Sequence, residues 1–115
     1  MYTAEDINIL KDLIVEIVEP DRIILFGSYA YGVPNEKSDL DLLVIKNGDM
    51  SDITMEEEVQ YKVKLFRKRQ QMKFKVNCDV FCRTEKQIEE QIKNVGGSFV
   101  DAMNKGVLIY ERYNN

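Results

Sequence analysis

The chain has 115 residues, of which 44% are hydrophobic and 31% charged. That composition suits one domain, residues 1–115, with a packed core and excludes a disordered chain. A net charge of −4 argues against broad nonspecific nucleic-acid binding, no apolar run nears the roughly 20 residues of a membrane helix, and the absence of His excludes imidazole-based hydrolysis and His-ligated metal.

Met1 to Asp6 lacks the basic start and apolar stretch of a signal peptide, so a soluble, cytoplasmic protein is expected. Thr3 to Glu19 is expected as an amphipathic helix. Ile7, Leu10, Leu13, Ile14, Ile17 and Val18 form its apolar stripe. Thr3 and Asp6 stand in capping-box spacing, and Pro20 ends the helix. Arg22 to Phe26 follows as a buried strand. Gly27 opens a short helical turn over Ser28 to Tyr31, and Gly32 to Asn35 is a loop.

Asp39 to Lys46 is the second strand, and Asn47-Gly48-Asp49 a turn. The long second helix runs from Thr54 to about Lys73, with Thr54 and Glu57 as a second capping box. Its inner face is expected to be Met55, Val59, Val63 and Phe66, with acids early and bases late as the helix dipole favours. Val76 to Cys82 is the third strand. Thr84 with Gln87 starts a third helix whose core face is Ile88, Ile92, Val95, Phe99 and Met103, and Gly96-Gly97 divides it. Gly106 ends it before a last strand, Val107 to Tyr110. This order of elements predicts an α/β (α+β) fold, a small mixed β-sheet packed with helices.

Chemistry concentrates at Gly27-Ser28 and, after ten intervening residues, at Asp39-Leu40-Asp41. Aspartates at i and i+2 on a strand point to one face, roughly 7 Å apart, which lets both hold one metal ion. Asp39 and Asp41 share their face with Leu43 and Ile45, while Leu40, Leu42 and Val44 line the other. The plain alternative is two exposed strand-start residues, but a buried strand that opens with two acids on one face calls for a counter-charge. Asp79, inside an otherwise apolar strand, is a third acid. If its strand lies beside the second, three carboxylates cluster, a set suited to two Mg²⁺ ions; otherwise it is an edge-strand aspartate facing water. Gly27 allows a tight turn and close ligand approach, and Ser28 offers its hydroxyl and N–H to phosphate oxygens. The P-loop, dinucleotide and EF-hand patterns are all missing.

Cys78 and Cys82, four apart on the third strand, face one side with Val80 as small buried hydrophobes and cannot build the usual zinc site. Lys62, Lys64, Arg67, Lys68, Arg69, Lys73 and Lys75 form a basic stretch with no acid inside it. It is either a solvated helix face or a patch for an acidic partner, a nucleotide tail or RNA.

The runs Leu25-Phe26-Gly27-Ser28-Tyr29-Ala30-Tyr31-Gly32 and Ser38-Asp39-Leu40-Asp41-Leu42-Leu43-Val44, with the later Asp79 strand and Gly106 to Arg112, resemble the nucleotidyltransferase (DNA polymerase beta-like) superfamily. More narrowly they are similar to its minimal, MNT-type members, over nearly the whole chain. The resemblance implies that Asp39, Asp41 and Asp79 hold two Mg²⁺ ions, that Gly27 and Ser28 bind the phosphates of ATP, and that Asp79 is the base for the acceptor hydroxyl. The implied reaction places AMP on a hydroxyl and releases pyrophosphate. Paired metals about 3.5–4 Å apart suit the charge that builds at the α-phosphate.

Tyr29 and Tyr31 stand where many relatives carry arginine; packing and turn stabilisation are the roles expected of both. Larger relatives add a helical acceptor-binding domain, so here the resemblance points to a partner protein or a second copy. Minimal members are commonly paired with a helical HEPN toxin, as its antitoxin. Two alternatives stay open: a non-catalytic antitoxin that works by occlusion, and a transferase acting on a small molecule or RNA.

Overall fold

The computed structural model describes residues 1–112, in which five helices and four strands follow one another along the chain. Helix α1 (Ala4–Val18) is capped by the expected reciprocal box, in which the Thr3 hydroxyl accepts from the Asp6 N–H and the Asp6 carboxylate from the Thr3 N–H. It buries Leu10, Leu13, Ile14 and Val18. Strand β1 (Arg22–Phe26) leads into the one-turn helix α2 (Ser28–Tyr31), and β2 spans Leu40–Ile45. Helix α3 (Met55–Met72) is capped by Thr54, whose hydroxyl accepts from the Glu57 N–H. Strand β3 (Cys78–Arg83) is followed by α4 (Glu85–Asn94) and α5 (Ser98–Lys105), and β4 (Val107–Glu111) closes the sheet.

The strands lie in the order β3-β2-β1-β4. β1 pairs antiparallel with both β2 and β4, whereas β2 and β3 run parallel, so the sheet is mixed as expected. Parallel neighbours need a crossover, and α3 supplies it. The β2 residues divide between the sheet faces as strand alternation requires. Leu40, Leu42 and Val44 join α1 and Leu65 of α3 in one core; Leu43 and Ile45 join Phe26, Ile88 and Phe99 in the other. Within the second core Phe26, Phe81 and Phe99 pack with centroids 5.7–6.2 Å apart.

Three expectations are corrected. Helix α3 turns Leu65 inward, while Met55, Val59, Val63 and Phe66 are exposed. The helix lies against α1 and the edge strand β3, so a narrow strip of it is covered. Glu58 faces β3: its carboxylate accepts from the Cys82 N–H and from Arg83 Nη1. The division at Gly96-Gly97 is real, and both glycines have positive φ. The chain therefore changes direction there, and the periodicity does not carry across. Ile88, Phe99 and Ala102 are buried but Val95 is exposed and Met103 partly so. Finally, β3 begins at Cys78, and Val76 is buried from the preceding loop.

Candidate active site

Strand register decides where the sequence-identified acids meet. Asp41 is paired with Phe26 across β1 and with Asp79 across β3, so the two carboxylates occupy one row of the sheet. Asp39 lies two residues earlier, immediately before β2. The conditional expectation that the Asp79 strand lies beside the Asp39–Asp41 strand is met. The edge-strand setting offered as its alternative holds as well: Asp79 is exposed, because β3 is both the neighbour of β2 and an edge strand. Asp39 is exposed as well, and Asp41 half-buried.

These positions leave an electrostatic mark. Burial pushes the Asp41 carboxyl above its ordinary value, and the charges of Asp79 and then Asp39 push it further. The three acids are thus close enough to repel through Asp41. Among the described residues, no three His, Cys, Asp or Glu side chains converge tightly enough to enclose a metal ion. The donor set still suits a hard divalent cation: all ligands are carboxylate oxygens, and their repulsion is what a cation would relieve.

Gly27 completes the row on the β1 side, directly after Phe26. Its φ of 74° is left-handed, and a Cβ built on it would collide with Oδ2 of Asp41. Only glycine permits both the turn and this approach. Ser28 begins α2, where the carbonyl of Gly27 accepts from the N–H groups of Ala30 and Tyr31. Gly27 and Ser28 are therefore brought to the Asp41 end of the sheet, as their spacing suggested.

The tyrosines of α2 differ in what they do. Tyr29 packs on the α1 core, its ring lies 5.9 Å from that of Tyr2, and its hydroxyl accepts from the Tyr2 N–H. Packing explains it. Tyr31 is 39% exposed, so packing does not account for that residue.

On the far side of Asp79, α3 and β3 border a cavity of about 260 Å³ whose wall includes Lys62, Phe66 and Arg69. Sequence reasoning had marked these cations as part of a basic stretch but did not connect them with Asp79. The missing signal was the strand order, which makes β3 an edge and sets α3 beside it. Within the described residues no helix is long and apolar enough to cross a membrane.

Comparison with known proteins adds one finding of similarity. A family model described as a nucleotidyltransferase domain matches residues 7–108 of the 115-residue chain. No curated protein matches the chain.

Proposed function

Since the chain belongs to the nucleotidyltransferase domain family, we propose that it transfers AMP from ATP to a hydroxyl of a partner protein. The observation that carries this reading is the acidic row, with Asp41 in register with Asp79, Asp39 two positions before it and Gly27 against it. A protein that acted by binding alone would gain nothing from carboxylates set to repel one another.

The roles follow from position. Gly27 and Ser28 hold triphosphate oxygens with backbone N–H groups and the Ser28 hydroxyl. Asp39, Asp41 and Asp79 would hold Mg²⁺, which when bound neutralises phosphate charge and polarises the α-phosphate. Asp79, exposed at the sheet edge, takes the proton of the acceptor hydroxyl. The acceptor oxygen forms a bond to the α-phosphorus, the bond from that phosphorus to its bridging oxygen breaks, and pyrophosphate leaves with the electron pair.

A second reading has its own support. The exposed stripe of Met55, Val59, Val63 and Phe66 on α3 suits a protein contact. An antitoxin that occludes a helical HEPN-type toxin would use such a face without needing transfer. The deciding experiment combines the protein with ATP labelled at the α-phosphate, Mg²⁺ and the protein encoded beside it. Label on that partner, lost with Asp39→Asn and Asp41→Asn, supports transfer. Neutralisation of the partner that survives both substitutions overturns it in favour of occlusion.

A further inference from the structure

The 260 Å³ cavity beside Asp79 does not end at α3. Phe66 and Arg69 also line a second cavity, of about 470 Å³, that reaches Tyr2, Lys73, Phe74 and Lys75. The two therefore adjoin along a shared wall, and together they make a two-part groove with room for a sizeable ligand. Arg69 is fixed between them. It donates from Nη1 to the Val76 carbonyl, lies 5.9 Å over the Phe66 ring, and keeps a buried Nε without a hydrogen-bond partner.

Two properties define what the groove would hold. Its lining carries the cations Lys62, Arg69, Lys73 and Lys75 and a single carboxylate, Asp79, in a chain whose net charge is −4. Along one side runs the open edge of β3. Leu40 N–H bonds to the Asn77 carbonyl, so the parallel ladder turns the peptide groups of Cys78 and Val80 outward. Glu58 takes the outward N–H of Cys82, while Cys78 and Val80 line the cavity. An open strand edge receives an extended peptide, whose backbone supplies complementary N–H and C=O groups.

We infer that this groove is the acceptor site, and that its occupant is an extended, acidic polypeptide segment that presents its hydroxyl at the Asp79 end. The inference rests on the transferase reading for what happens to that hydroxyl, but the groove and its charge stand apart from it. The apolar floor formed by Leu65, Val76 and Val80, beside a peptide edge, favours a polypeptide over RNA.

The test measures binding to the unsubstituted chain, without nucleotide, of three fluorescent probes: an alternating Glu/Tyr peptide, an alternating Lys/Tyr peptide and oligouridylate. The Glu/Tyr peptide is expected to bind best. The double variant Lys73→Asn, Lys75→Glu is expected to weaken it about tenfold. Asn suits the left-handed backbone of Lys73, at φ 55°, and Lys75 is exposed, so the fold is kept. Equal binding of the Lys/Tyr peptide, tighter binding of oligouridylate, binding of none, or no effect of the double variant would each overturn the inference. Transfer of label from ATP to the bound peptide is scored separately. Binding without transfer keeps the groove and counts against the enzyme; transfer indifferent to the double variant keeps the enzyme and removes the groove.

Discussion

Gly27 sets its bare Cα against the carboxylate of Asp41: a methyl group there would collide with Oδ2 and lie 3.1 Å from Cγ. Gly27→Ala therefore strains the backbone at φ 74° and displaces the acid together. The expected cost is about 2 kcal/mol in urea unfolding, with nucleotidyl transfer falling at least roughly tenfold. An alanine variant with unchanged stability and transfer would show that Asp41 does not need this approach.

Asp41 also links acidity to stability. Burial, then Asp79 and Asp39, raise its carboxyl above the ordinary 3.8 in the folded chain. The folded state thus binds this proton more tightly than the unfolded state. The resulting stabilisation is present below about pH 3.8 and is lost as pH rises through the raised value. At pH 7 the ionised group is a burden, so Asp41→Asn should raise Tm in chelator-treated buffer while abolishing transfer. The gain should shrink as pH falls toward 4, and added Mg²⁺ should raise Tm in the parent more than in the variant. Thermal melts across that range check both signs.

Glu58 ties α3 to the edge strand. Its side chain is 14% exposed and accepts from the Cys82 N–H at 2.8 Å and from Arg83. Glu58→Ala leaves a buried N–H and a guanidinium without this partner. It should cost about 2 kcal/mol, read by urea unfolding.

The orientation of α3 yields a contrast within one helix. Leu65→Ala removes a buried side chain and should cost about 3 kcal/mol. Met55→Ala and Val59→Ala, on the exposed face, should each stay within about 0.5 kcal/mol. The reverse ranking would restore the face expected from periodicity.

The thiols should be slow. Cys82 is 1% exposed and burial pushes its pKa up to about 12; burial also raises that of Cys78. At pH 8 both remain protonated, so a disulfide reagent should label the native protein far more slowly than the urea-unfolded chain. Rapid native labelling of Cys82 would contradict the packing of β3.

The features legible in the sequence are those set by neighbours along the chain. Thr3 with Asp6, Thr84 with Gln87 and the break at Gly96-Gly97 all act within a turn, and each was readable as a cap or an interruption. The fixed spacing from Gly27 to Asp41 likewise placed both at one end of the sheet. What a helix face meets is not local. Met55, Val59, Val63 and Phe66 make a cleaner stripe than the residues α3 turns inward, because periodicity marks an apolar face without naming its neighbour. The setting of Asp79 is non-local for the same reason. An apolar strand reads as central unless the strand order is known, and that order places β3 at the edge.

The parallel pairing of β2 with β3 has a consequence in time. The Asp41 and Asp79 strands are separated by the entire α3 crossover, so closing their contact spans roughly forty residues and carries a larger entropy cost than the adjoining β1–β2 hairpin. A growing polypeptide would acquire the hairpin early, yet its triad of acids only after Asp79 had left the ribosome. A chain stalled between those points would carry the glycine bend and two of the aspartates without the third.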